Sequence, residues 1–159
     1  MKNLNYLILS FIFFAFLSLS SCGGYKPIFS AENLDFEISN HSISGDKMLG
    51  NQLFARIKKS SKISKNSLEF FINISKNKEA TSKSETGKVL EYKISLNTYF
   101  KVVDATTKQE LINNQLTYST TYKVEDQHYD TIKSENKSVE NLINKVYQEL
   151  LIKLSETIK

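Results

Sequence analysis

The chain has 159 residues and a formal net charge of +4, from 21 Lys and Arg against 17 Asp and Glu. This length suits one domain, and the charge is too small for a dedicated nucleic-acid-binding domain. The single Cys excludes an intramolecular disulfide and a zinc site built from several cysteines.

The first 21 residues have the layout of a secretory signal. They contain no Asp or Glu, one basic residue, Lys2, and an apolar run from Tyr6 to Leu19 that only two serines interrupt. This run is shorter than the ~20 residues that a membrane-spanning helix needs. We therefore expect residues 1–21 to be a signal peptide that is removed.

Cys22 follows this run in the order Leu19-Ser20-Ser21-Cys22-Gly23. The order resembles the bacterial lipobox, in which Leu stands three residues before the Cys and a small residue directly before it. The resemblance implies that Cys22 is the lipid-attachment site, and acyl chains at ~0.8 kcal/mol per buried CH₂ give permanent anchoring. Gly23 after the Cys implies export to the outer membrane, and residues 22–33 are expected to form an acylated tether.

The first predicted elements after the tether are a strand and a helix. Apolar residues alternate with polar ones from Leu34 to Ile38, as in a half-buried strand, and a turn is predicted around His41. Apolar residues at helical spacing then run from Met48 to Ile57. Asp46 is placed to cap the start of this helix.

Three further strands and a long helix complete the predicted elements. Alternation predicts strands at 68–75, 90–102 and 112–124. The Lys-, Ser- and Thr-rich segment 76–87 predicts a mobile surface loop, and the short polar segment 104–109 predicts a hairpin connection. After a polar loop at 125–130, an apolar stripe from Val139 to Ile158 predicts the last helix.

The element order β-α-β-β-β-α, with one apolar face on each element, predicts an α+β fold. We expect a two-layer sandwich in which two helices cover one face of a four-stranded sheet, as a single domain over residues 34–159. The sequence lacks a G-x-S-x-G motif, a phosphate-binding Gly loop and an HExxH motif. The acidic residues around His128 suit either a metal or acid–base site or a polar loop, and we favour the loop. We expect no catalytic residues, no metal and no cofactor.

Three motifs in this order resemble the LPS-assembly lipoprotein LptE family. Residues 22–29, CGGYKPIF, are similar to the family's opening of Cys-Gly, an aromatic, a basic residue, Pro and an apolar pair. Residues 49–53, LGNQL, resemble its first-helix pattern Leu-x-Asn-x-Leu, and the stretch from Tyr122 through Tyr129 to the final helix resembles its Tyr-rich strand end and helix entry. The chain departs from the family at the extra Gly of the opening, at Gly50, at Lys123 and at Asp130.

The resemblance implies a role in assembly. Members assemble with the outer-membrane barrel LptD, plug its lumen and assist delivery of lipopolysaccharide. The implied partners are LptD, lipopolysaccharide and the membrane through the acyl chains, with the domain facing the periplasm or inside the barrel lumen. One alternative is an accessory lipoprotein of another lipid-transport or outer-membrane assembly complex, and another is a lipoprotein hydrolase.

Charge placement suggests where lipopolysaccharide would bind. Its phosphates and carboxylates suit Lys and Arg. Segment 76–88 has four lysines against two glutamates, a local charge of +2, and follows a strand with Phe71 on its polar side. Arg56, the sole Arg, is interpreted as part of a solvated helix end. We therefore predict contact at Lys76, Lys78, Lys83 and Lys88.

Overall fold

The order of strands and helices follows the sequence periodicities. The computed structural model describes residues 34–158, so the predicted signal, the lipid-attachment residue Cys22 and the tether at 22–33 lie outside the described residues. The fold is α+β in the order β-α-β-β-β-α, as predicted. Its elements are β1 (Glu37–Gly45), α1 (Lys47–Ser60), β2 (Ser67–Lys83), β3 (Val89–Asp104), β4 (Glu110–Lys123) and α2 (His128–Thr157).

The four strands form one sheet in the order β1-β2-β3-β4. β1 and β2 are parallel, while β2, β3 and β4 pair antiparallel with their neighbours. Parallel neighbours need a crossover connection, and α1 provides it. The antiparallel strands are joined by tight turns at 84–88 and 105–109.

Both helices pack on one face of the sheet. Even-numbered residues of β2 from Leu68 to Ile74 are buried against them, whereas Phe71 and Asn73 point to the opposite, uncovered face. A stripe of each helix completes the core. Its most buried members on the helices are Leu49, Leu53, Ile57, Leu142, Ile143, Val146, Leu150 and Leu154. None of the helices within residues 34–158 is both long and apolar enough to cross a bilayer.

The start of α1 confirms the predicted cap. Asp46 Oδ1 accepts hydrogen bonds from the backbone N–H groups of Met48 and Leu49, each at 3.1 Å. One turn later, α1 lies so close to β1 that a Cβ at Gly50 would overlap Ile43 Cγ2. The close approach of helix and strand therefore explains the Gly at a position where the LptE-like pattern has a basic residue.

The predicted first strand is displaced. Leu34 and Phe36 are buried but precede β1, which continues through the predicted turn to Gly45. His41 lies in this strand, and its ring stacks on Phe54 of α1 at 3.8 Å between centroids. Pairing with β2 determines where β1 begins and ends. Because β1 is an exposed edge strand, its sequence has little of the apolar alternation that would indicate a strand.

The predicted loop at 76–87 is wrong over most of its length. β2 continues to Lys83, with Lys76 opposite Leu96 and Lys78 opposite Ile94 on β3. This half of β2 is exposed on both faces, so it lacks the alternation that indicates a strand, and its hydrogen bonds come from β3.

The last helix begins earlier than its apolar stripe. α2 begins at His128 rather than at Val139, so residues 128–130 of the predicted polar loop are helical. At the helix entry, the buried Thr131 ties back to the preceding loop, because its Oγ1 accepts a hydrogen bond from the Glu125 N–H at 2.9 Å.

Candidate functional site

The structure separates the four predicted lysines into two pairs. Lys76 and Lys78 continue the even-numbered, helix-facing side of β2 beyond the apolar core. Lys83 ends β2, and Lys88 follows the turn, where its backbone N–H donates to Ser84 Oγ at 3.1 Å. The side chains of Lys83 and Lys88 are exposed and have no ion-pair partner within residues 34–158.

The inner pair of lysines belongs to a polar cluster under α2. Glu135 accepts hydrogen bonds from Lys78 Nζ at 2.6 Å, from Tyr122 Oη at 2.9 Å and from Lys76 Nζ at 3.4 Å. Lys78 Nζ lies 4.3 Å from the ring centroid of Tyr92, which stacks on Tyr122 at 5.8 Å. We call these five residues the Glu135 cluster. Two lysines against one glutamate leave it one net positive charge.

Electrostatics keep this cluster charged at neutral pH. Burial raises the pKa of Tyr122, so its hydroxyl stays a donor. Burial opposes the ionised form of Glu135, but hydrogen bonds from Lys78 and Tyr122 outweigh it and lower the Glu135 pKa. Burial likewise opposes the Lys78 cation, and the hydrogen bonds to Glu135 and Tyr122 together with the Glu135 charge raise the Lys78 pKa. Lys78 is therefore largely committed to partners inside the protein.

Lys76 also borders a groove between the two helices. The groove has a volume of about 550 Å³, which falls in the range of ligand sites, roughly 300–1,000 Å³. Its apolar lining residues are the buried Leu49 and Val139 and the exposed Met48, and its other five lining residues are polar or charged. We call it the α1–α2 groove; its lining residues are Met48, Leu49, Gln52, Arg56, Lys76, Asn136, Val139 and Glu140.

Arg56 forms one wall of the α1–α2 groove. Its Nε donates to Asn144 Oδ1 of α2 at 2.9 Å, and its Nη2 lies 3.6 Å from Glu140 Oε1. The side chain is only 25% exposed, so the interpretation of Arg56 as part of a solvated helix end is wrong.

The α1–α2 groove therefore combines two cations, Arg56 and Lys76, with the Glu140 carboxylate and with apolar side chains. Each cation already has a carboxylate partner, Glu140 at 3.6 Å and Glu135 at 3.4 Å. Sequence reasoning missed this groove because Arg56 and Lys76 lie on different elements. The one indication of this groove in the sequence was Arg56, the sole Arg, within the helical repeat of α1.

The segment around His128 does not assemble a metal site. Within residues 34–158, no group of three or more His, Asp and Glu side chains is arranged to hold a metal ion. His128 itself is the first residue of α2.

Comparison with solved structures shows which class of proteins has this fold. The solution structure of the uncharacterized lipoprotein B from Nitrosomonas europaea matches with a TM-score of 0.51 and 18% identity, covering 80% of this chain and 88% of that one. The minor lipoprotein from Acinetobacter baumannii matches with a TM-score of 0.51 and 12% identity, covering 77% and 90%. A protein from Xanthomonas campestris matches with a TM-score of 0.52 and 8% identity, covering 82% and 91%.

These likenesses establish a shared fold, and two of the three structures are lipoproteins. No family model and no curated protein sequence matches the chain. The chain thus has the α+β fold of solved lipoproteins.

Proposed function

We propose that this chain is an outer-membrane lipoprotein that assembles with an LptD-type barrel, plugs its lumen and assists delivery of lipopolysaccharide. The observation that carries the proposal is the combination of the lipobox at Cys22 with a fold shared by solved lipoproteins. The LptE-like motifs at 22–29, at 49–53 and from Tyr122 towards the last helix favour this role over other roles of lipoproteins. In this role the protein acts by binding and not by catalysis.

The polarity of the described surface supports a plug. The lumen of a large outer-membrane barrel is polar, so a protein inside it needs a polar exterior and paired backbone groups. The uncovered face of the sheet carries mainly Ser, Thr, Asn and Gln side chains, and the backbones of the inner strands β2 and β3 are paired with a strand on each side. At the ends of this face, ion pairs such as Lys101–Glu110, at 2.9 Å, neutralise the charges.

The positions of the cations suggest how lipopolysaccharide is contacted. Arg56 and Lys76 border the α1–α2 groove, where Met48, Leu49 and Val139 add apolar surface, and this combination suits phosphate groups next to acyl chains. Lys83 and Lys88 are exposed at the end of the β2–β3 hairpin and suit phosphates or carboxylates. Lys78 contributes less, because Glu135 and Tyr92 already surround its cation.

Co-purification tests the assembly role. The acylated chain, expressed with an affinity tag at its C-terminus, is expected to capture an outer-membrane barrel whose migration in gels changes on heating. An equally expressed Cys22→Ala variant controls for anchoring. Capture of an inner-membrane transporter in place of a barrel would contradict the proposal and favour an accessory subunit of another lipid-transport complex.

A further inference from the structure

Two aromatic side chains stand on the uncovered face of the sheet. Phe71 on β2 is 37% exposed and Tyr99 on β3 is 39% exposed. Phe71 pairs with Lys101, and Asn73 pairs with Tyr99, so the two aromatic residues are diagonal neighbours on adjacent strands. Diagonal neighbours lie roughly 7 Å apart along the backbone, so the two aromatic residues share one end of the face.

Unpartnered carboxamides flank these rings. Asn73 lies directly across from Tyr99 on β2, and Gln115 lies directly across from it on β4. Both side chains are exposed and have no hydrogen-bond partner among the residues that the structure describes. Each carboxamide offers two N–H donors and a carbonyl acceptor. Gln115 lies on the β4 side of Tyr99, and Asn73 lies on the β2 side, where its Oδ1 is next to Gly45.

The charges nearest to the rings are already paired. Lys101 Nζ lies 2.9 Å from Glu110 Oε2, and Lys108 Nζ lies 2.8 Å from Glu69 Oε1. The next two cross-strand rows contain only neutral side chains: Ser75, Asn77, Ser95, Asn97, Thr117 and Ser119. The row after them carries the Lys93–Glu79 ion pair at 3.1 Å. The middle rows of the face, next to Tyr99, therefore complement a neutral ligand rather than a phosphate.

We infer that Phe71, Asn73, Tyr99 and Gln115 form a sugar platform that binds neutral pyranose units of lipopolysaccharide. The C–H face of a pyranose ring packs on the aromatic rings, while its hydroxyls exchange hydrogen bonds with Asn73 and Gln115. The proposed function supplies the source of the sugar. The platform lies on the sheet face, so it is separate from the cationic α1–α2 groove on the helix layer.

Two probes separate the sugar contact from the anion contact. The first is a neutral core oligosaccharide from which acyl chains, phosphates and carboxylate-bearing sugars have been removed, and the second is lipid A without core sugars. The mature protein in detergent is titrated with each probe by calorimetry. Tyr99→Ala is expected to weaken oligosaccharide binding about fivefold, as for the loss of one aromatic contact, and to leave lipid A binding unchanged. Tyr99→Phe keeps the ring and is expected to keep most of the affinity.

Matched controls are available on the same chain. Tyr129→Ala removes an exposed Tyr from α2, away from the platform, and is expected to leave oligosaccharide binding intact. On the uncovered face itself, Asn73→Ala is compared with Asn77→Ala, which removes the same carboxamide two rows further along. The Asn73→Ala variant also serves as the test if Tyr99→Ala does not fold.

The outcomes distinguish this inference from the proposed function. Wild-type affinity in folded Tyr99→Ala and Asn73→Ala variants would overturn the sugar platform, and continued capture of the barrel would leave the proposed function standing. Loss of barrel capture with unchanged oligosaccharide binding would make the face a protein interface. Loss of self-association in sedimentation, again with unchanged sugar binding, would make it a contact between copies of this chain. Either result overturns the inference.

Discussion

Replacing Glu135 by Gln tests how the β2–β3 hairpin is held to α2. The substitution keeps a hydrogen-bond acceptor for Tyr122 but removes the carboxylate that pairs with Lys78 at 2.6 Å. The side chains of Glu135 and Lys78 are 20% and 36% exposed, so solvent screens the pair. A charged hydrogen bond contributes ~1.5–3 kcal/mol, and solvent screening reduces this value. We therefore expect Glu135→Gln to lower the free energy of unfolding by about 1 kcal/mol at pH 7.

The pH dependence gives this prediction its sign. The pKa of Glu135 is lowered in the folded protein, so the carboxylate stabilises the fold above its unfolded pKa. This contribution is lost as the pH falls through the folded pKa. The pKa of Lys78 is raised in the folded protein, so Lys78 contributes its full stabilisation below its unfolded pKa. This stabilisation is lost as the pH rises through the folded pKa, so Lys78 affects the pH dependence of stability only in the alkaline range.

Urea unfolding at pH 7 and at pH 3 measures the effect. We expect wild type to be more stable than Glu135→Gln at pH 7 and the difference between the two proteins to be smaller at pH 3. Glu140→Gln is the matched control, since Glu140 lies on the same helix, is 65% exposed and is 3.6 Å from Arg56, so its loss should change stability little. An equal difference between wild type and Glu135→Gln at both pH values would refute the electrostatic reasoning.

Three further predictions follow from the described contacts and from the lipobox. Replacing Lys83 and Lys88 together by Ser should weaken lipopolysaccharide binding more than Lys78→Ser does. This loss of affinity should shrink with added salt, because exposed charges are screened over ~8–10 Å. An equal loss of affinity in the two variants would contradict the assignment of Lys83 and Lys88 as contacts. Gly50→Ala should lower the free energy of unfolding by about 1–3 kcal/mol, because the Cβ of the introduced Ala would overlap Ile43. If urea unfolding finds the variant as stable as wild type, α1 can shift to make room for the Cβ and the close approach is not a constraint. Cys22→Ala should yield an uncleaved or soluble species in fractionation, and an unchanged membrane fraction would contradict lipid attachment.

Local patterns in the sequence were enough to predict most elements of this fold. The buried half of β2 alternates from Leu68 to Ile74 because one face packs on the helices, and that alternation is visible without a structure. Asp46 was predicted as a cap because an acceptor side chain before a helical repeat satisfies its first N–H groups. Sequence signals of this kind depend only on residues that are a few positions apart in the chain.

Only the tertiary structure decided the features whose partners are distant in sequence. The outer half of β2 is a strand because β3 pairs with it, although its own residues are exposed on both faces. Lys78 was predicted to lie in a mobile loop and to contact lipopolysaccharide, but it lies in a strand, and Glu135, 57 residues away, accepts its hydrogen bond. The α1–α2 groove and the sugar platform likewise combine residues from separate elements. Periodicity records which side of an element is buried, whereas chain packing determines which side chains from other elements it meets.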